Sequence, residues 1–196
     1  MSPRLLLLSA SISFVLGLSA CNVTVAPEAS NQAASAPAAP AVPDAAAIAR
    51  QLDALYAEYW EESLKLNPIQ ATFVGDARYN DQLPNFLTAE FRQQTHDFTQ
   101  GWLDRVTAID ASSLQGQARL SYDIFVREQK LTLEAERFPN WMQPIQQFYS
   151  FANFAAQLGS GQSAQPFKTV QDYDNWLKRG AALPALFDQA IVNMRE

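Results

Sequence analysis

A lone cysteine (Cys21), a lone histidine (His96), three glutamates at Glu58, Glu61 and Glu62, and the string Gly75-Asp76-Ala77-Arg78-Tyr79-Asn80-Asp81 carry the side chains with which this sequence could do chemistry. Zinc catalysis needs about three protein ligands and an open position. With a single imidazole and no His-Glu-x-x-His, a metal site built from this chain alone would be nearly all carboxylate, a set that suits calcium or magnesium. His96 adjoins Asp97, but neighbours on a helix do not face each other. His96 therefore reads as a surface or partly buried side chain. Serine chemistry lacks its Gly-x-Ser-x-Gly elbow, and Ser160 between Gly159 and Gly161 reads as a turn. The three glutamates share a helix face, as a carboxylate pair for hydrolysis would; a solvated helix face has the same spacing.

The loop string offers more. Asp76, Arg78 and Tyr79 follow a helix, where loop residues can line a pocket. Arg78 can pair through two bonds with a carboxylate, either on a ligand or from its own chain. The competing reading is that Asp76, Arg78 and Asp81 fix an interhelical turn. The aromatic run Trp141, Phe148, Tyr149, Phe151 and Phe154 also reads two ways, as a binding surface for peptides or glycans or as core. No residue is assigned a catalytic or metal-binding role, and no cofactor is expected from these residues.

The elements that must position these groups read as helices. Ile48, Leu52, Leu55, Tyr59 and Leu66 fall at helical spacing, widened by Tyr56 and Trp60. Asn67-Pro68 stops that helix and suits a new start, with Asn67 as cap and Pro68 first in a short turn ending at Gly75. Thr88 opens a helix with the stripe Phe91, Thr95, Phe98, Trp102, Val106 and Ile109. Ser112 with Gln115 fits a capping box for a further helix reaching Arg137. That helix carries one stripe through Leu114, Ala118, Tyr122, Phe125 and Leu133 and a second through Leu120, Ile124 and Leu131, which predicts packing on both sides. After Pro139 a short helix and a Gly-Ser-Gly turn are expected. Thr169 with Asp172 makes another capping box, with Phe167 stapled onto Tyr173, and Leu183-Pro184 begins a last segment with Phe187, Ile191 and Met194 on one face. No β-branched run with turn punctuation appears, so the fold class is all-α.

The first forty-seven residues read differently. Met1 to Arg4 form a short basic front, Leu5 to Gly17 an apolar stretch too short to span, and Leu18-Ser19-Ala20-Cys21 a small-residue ending. This ending resembles the lipobox of bacterial lipoproteins. The resemblance implies a signal peptide over 1–20, cleavage before Cys21 and acylation of its thiol and amino group. Two or more acyl chains anchor stably where one is marginal, at about 0.8 kcal/mol per buried CH₂. Asn22 in place of an Asp implies the periplasmic face of the outer membrane. Residues 21–47, with Pro27, Pro37, Pro40 and Pro43, read as an Ala/Pro-rich tether, which leaves 48–196 as the helical domain. A net charge of −6 argues against a nucleic-acid partner, which calls for a basic stripe.

Several strings then fall in a familiar order: Asn67-Pro68 with Ala71-Thr72 and Gly75-Asp76-x-Arg78-Tyr79; Leu120-Ser121-Tyr122-Asp123; Pro166-Phe167-Lys168-Thr169-Val170-x-Asp172-Tyr173; and Leu183-Pro184. Together they resemble the N-terminal part of the domain of unknown function 885 family, over Leu52 to Glu196. The resemblance implies a mostly helical, zincin-like protein considerably longer than this chain, often a lipoprotein, similar to zinc metallopeptidases. Its zinc ligands, a His-Glu pair and a further His, belong to the C-terminal half, and no position of this sequence receives them. Asp76, Arg78 and Tyr79 match a recurrent family string without an assigned role. The expectation is an N-terminal fragment of an envelope-anchored lipoprotein, inactive by itself, whose complete form would use zinc on a peptide substrate. The alternative is a self-sufficient helical lipoprotein that binds a ligand or protein partner. A third reading, a carboxylate hydrolase using Glu58, Glu61 and Glu62, stays open.

Overall fold

The computed structural model describes residues 44–148 and 150–196. Cys21, the signal segment and almost all of the tether lie outside the described residues, as does Tyr149. The described residues form six α-helices, α1 (Ala45–Leu66), α2 (Pro68–Phe73), α3 (Ala89–Thr107), α4 (Gly116–Ala135), α5 (Phe151–Gly159) and α6 (Val170–Asn193), with 3₁₀ turns at Ala77–Tyr79 and Asn140–Met142. Among them there is no strand, only an isolated bridge between Ile145 and Ser150, so the fold is all-α. None of these helices is long and apolar enough to cross a membrane.

Local chemistry sets most of the boundaries. The Asp44 carboxylate accepts from the Ala46 amide at 3.0 Å, which starts α1 three residues ahead of the apolar stripe at Ile48. Pro68 takes the first position of α2, where a missing N–H costs nothing. The Asn67 side chain, however, makes no capping bond, unlike the expectation. The Thr88 hydroxyl accepts from the Phe91 amide at 3.1 Å and opens α3. Thr169 and Asp172 form the expected reciprocal box at the head of α6, and the Phe167 and Tyr173 rings meet edge-on at 5.2 Å.

Two boundaries depart from the sequence reading. No box forms between Ser112 and Gln115, and α4 begins at Gly116 without a side-chain cap. Instead the Ser112 amide bonds Asp110 at 2.9 Å, because Ala111 and Leu114 are both drawn into the core and hold this connection out of helix. Leu183-Pro184 does not begin a new segment either: Pro184 lies inside α6. Proline forfeits one hydrogen bond in a helix interior, and burial of Leu186, Ala190 and Asn193 beyond it holds the helix together. The inward face is thus Leu186, Ala190 and Asn193, while Phe187, Ile191 and Met194 are exposed.

There are two cores. Ile48 and Leu52 of α1, Val106 of α3 and the connecting Ala111 and Leu114 form the first, sealed by Tyr56, Tyr122 and Phe125. Leu87, Phe151, Leu186 and Ala190 form the second, flanked by Leu83, Phe86 and Leu183. Only one face of α4 is covered among the described residues. Leu120, Ile124 and Leu131, the second stripe that predicted packing on both sides, are about half exposed.

Candidate functional site

The Gly75–Asp81 loop follows directly from the end of α2. Gly75 turns the chain with φ +86°, a conformation that favours glycine. The Asp76 carboxylate then accepts from the Arg78 amide at 3.0 Å and starts the 3₁₀ turn. Arg78 returns the contact through Nε at 2.9 Å and Nη2 at 2.6 Å, and its Nη1 reaches Glu61 of α1 at 2.7 Å. These bonds hold the Asp76 carboxyl below its usual range and raise the Arg78 guanidinium. Arg78 is therefore engaged by its own chain on both sides. Lys178 of α6 meets Asp81 at 3.0 Å. The Tyr79 ring lies 5.4 Å from the Arg78 guanidinium carbon, and its carbonyl faces inward.

That carbonyl leads to a residue the sequence reading passed over. Arg179 of α6 is 1% exposed. Its Nε donates to the Gln82 carbonyl at 3.0 Å, and its Nη1 donates to Gln165 Oε1. Its Nη2 faces Thr72 Oγ1 at 2.7 Å, the Tyr79 carbonyl at 3.0 Å and the Pro68 carbonyl at 3.2 Å. Thr72 in turn donates to buried Asn80 at 2.8 Å. Among the described residues no carboxylate touches Arg179, and burial pushes its pKa down to about 10, against a weaker upward pull from Asp81. One guanidinium thus ties α2, the 3₁₀ turn, the loop before Leu83 and the loop before α6 to a single point. A periodicity signal existed: Arg179, Leu186 and Asn193 recur at sevens on one helix face, but splitting the helix at Pro184 hid it.

Glu58, Glu61 and Glu62 are not brought together on a reacting centre. Glu58 pairs with Arg105 at 2.6 Å, Glu61 with Arg78, and Glu62 accepts from the Trp102 indole at 3.0 Å. The Arg105 guanidinium lies over that indole at 3.9 Å, so these contacts sew α1 to α3. The Ser160 hydroxyl donates to the Gln157 carbonyl at 2.7 Å and accepts from Gln162, as a turn serine does.

A groove of about 610 Å³ runs along the first turns of α3, the end of α4 and the 3₁₀ turn after it. His96 Nδ1 sits 2.7 Å from Glu136 on its wall. Arg92 bonds the Leu87 carbonyl at 2.9 Å and lies over the Trp141 ring at 4.3 Å, with Phe91 and Phe138 as apolar walls. Such a lining suits an aromatic or acidic group. The aromatic run is divided by the fold: Trp141 lines this groove, Phe151 is buried in the second core, Phe154 stacks on Phe73 at 6.1 Å, and Phe148 is 88% exposed. Among the described residues no three His, Cys, Asp or Glu side chains are grouped to hold a metal ion.

A model of a bacterial protein family of unknown function (DUF885) matches residues 68–196, from the first residue of α2 onward. Searches of curated proteins and of solved structures gave no match.

Proposed function

Since the chain belongs to the DUF885 family of bacterial proteins, we propose that it forms the N-terminal helical layer of a larger envelope-anchored lipoprotein related to zinc-dependent peptidases. Cys21 carries the lipid, the tether spaces the helices from the periplasmic face of the outer membrane, and the complete protein acts on a peptide with zinc held by residues outside the described unit. The observation that carries this reading is the outward face of α4. Leu120, Ile124 and Leu131 lie half exposed along a helix whose other face is already packed. Exposed large apolar side chains along one helix face suit an interaction surface, and a further layer of the same protein covers them here. The groups suited to acid–base work, Glu58, Glu61, Glu62, Arg78 and His96, are engaged with partners inside the unit, as befits scaffold.

Immunoblotting of membrane fractions with antibody to the Asp172–Arg195 segment tests the proposal. A band well above the 21.7 kDa of the chain is expected; a single band at or below that size would sink it. Incorporation of labelled palmitate, lost in Cys21→Ser, tests the anchor separately. The second reading, a self-sufficient binding module, draws on the Arg92–Trp141 groove. It requires the lipid-free chain to be monomeric and to melt in one cooperative transition; aggregation through the apolar faces would count against it.

A further inference from the structure

Helix α6 carries a second apolar face, and its spacing is more regular than that of its buried one. Val170, Tyr173, Leu177, Gly180, Pro184, Phe187, Ile191 and Met194 follow one another at alternating intervals of three and four along the helix and its cap. The six large side chains of this set are exposed, from 38% at Phe187 to 78% at Val170. The buried positions Arg179, Leu186, Ala190 and Asn193 lie to one side of that line. A seam with a 3.5-residue period drifts around a straight helix, and what stays in register with it is another helix wound on it with a slight left-handed twist. The period therefore specifies the shape of the occupant, which a merely greasy surface does not.

The middle of the seam adds a second observation. Glycine in a helix interior is unfavourable relative to alanine, and nothing inside the fold requires it at Gly180: a Cβ there meets no atom within 4 Å. Pro184, one turn later, has no N–H to donate to the Gly180 carbonyl. Both residues lie on the seam. Bare backbone with a freed acceptor, on the outer face at mid-helix, is what close approach of a second helix with a donor side chain would use.

Charge narrows the partner. Asp174 and Asp188, two heptads apart, border the seam on its open side, and neither joins an ion pair among the described residues. Lys178, on the far side of them, is committed to Asp81, and Arg195 follows only beyond the helix. A second copy of α6 packed antiparallel would set Asp174 against Asp188 of its mate, like charge on like. A helix with Lys or Arg two heptads apart would complement both.

The geometry points to α6 as the docking strip for one amphipathic helix from the remainder of the larger protein, with heptad-spaced apolar residues, basic residues facing Asp174 and Asp188, and its closest approach at Gly180. This rests on the reading of the chain as the N-terminal layer of that protein. The test places the photocrosslinker p-benzoylphenylalanine at Leu177, on the seam, and at exposed Gln171, off it, in the full-length protein expressed in its membrane. The expected result is an intramolecular crosslink from 177, not from 171, mapping to a helical segment with basic residues two heptads apart. Gly180→Leu should lower its yield at least tenfold, with helix content unchanged by circular dichroism. A larger product with no seam-specific crosslink, or with one to a non-helical segment, overturns the docking while leaving the larger protein intact. A crosslink to a second copy or to another polypeptide overturns the assigned source. A product of only 21.7 kDa removes the larger protein, and the docking with it.

Discussion

Around α1, α3 and α4 the buried groups are Ile48, Leu52, Val106, Ala111 and Leu114, with aromatic rings packed over them, Tyr56 on Phe125 at 5.2 Å and Tyr59 on Phe125 at 4.9 Å. Around α2 and the first half of α6 the largest fully buried side chain is Arg179, and what surrounds it are carbonyls, a hydroxyl and an amide. The first region is held by removing apolar surface from water, which is non-directional and tolerant of repacking. The second is held by a charge whose burial is costly unless every donor finds an acceptor. One region should therefore degrade gradually under substitution, and the other should fail at a single residue.

Arg179→Ala gives the sharpest test of that contrast. It strands the Gln82 carbonyl and the Gln165 side-chain oxygen, removes one donor each from the Tyr79 and Pro68 carbonyls, and leaves a cavity beside Thr72. The expected loss is about 3–5 kcal/mol, a large share of the roughly 5–15 kcal/mol that holds a domain together. Arg179→Lys should recover only a minority of it, because an ammonium cannot span the same fork of acceptors. Urea unfolding of the lipid-free chain measures both. Equal tolerance of Ala and Lys would mean that the guanidinium contacts do not hold this region.

In the apolar region Leu52→Ala should cost about 3 kcal/mol, by lost transfer energy and an unfilled cavity. Leu52→Met, which conserves volume, should cost less than about 1.5 kcal/mol. A loss of several kcal/mol in the Met variant would show that this core is as exacting as the Arg179 cluster, and the comparison would collapse.

The same contrast explains what the sequence disclosed. Apolar periodicity and caps located α1, α3 and the head of α6, because Ile48, Leu52 and Leu55 or Phe91, Thr95 and Phe98 advertise a face directly, and Thr169 with Asp172 names its own boundary. Ser112 failed as a cap because burial of Leu114 outweighed a local bond. Leu183-Pro184 reads as the start of a new segment, although packing of Leu186 and Ala190 carries one helix through it. Of the candidate residues, Asp76 and Arg78 read as either an internal pair or a ligand site, and only the fold, which also brings Glu61 to Arg78, decides for the internal one. The Arg92–Trp141 groove joins residues far apart in the chain, and Arg179 looks like any surface charge until its acceptors are placed around it.

Gly159 probes the close packing of α5 against α6. Its backbone lies so close to the Trp176 ring that an added Cβ would overlap it. Gly159→Ala, favourable by helix propensity alone, should instead destabilise by about 1–3 kcal/mol as the indole is displaced. Near-ultraviolet circular dichroism should register the movement of Trp176. A stabilised variant with an unchanged spectrum would mean that the indole has room to yield.

The smallest effect is expected at the head of α6, and its size depends on pH. Thr169 accepts from the Asp172 amide at 3.2 Å while the Asp172 carboxylate accepts from the Thr169 amide at 2.8 Å, so Thr169→Ala should cost about 1 kcal/mol. The bonds from the Thr169 backbone and hydroxyl hold the Asp172 carboxyl below its ordinary range. Its folded pKa is then lower than its unfolded one, near about 3.9. The stabilisation is fully present above that unfolded value and is lost as pH falls through the folded one. Asp172→Asn should flatten this acid limb of the stability curve while leaving the Thr169 hydroxyl in place. If wild type and Asp172→Asn lose stability in parallel between neutral pH and pH 3, the cap is not what ties α6 to its register. The bonds of Arg179 and the packing of α6 against the second core would then set where that helix begins.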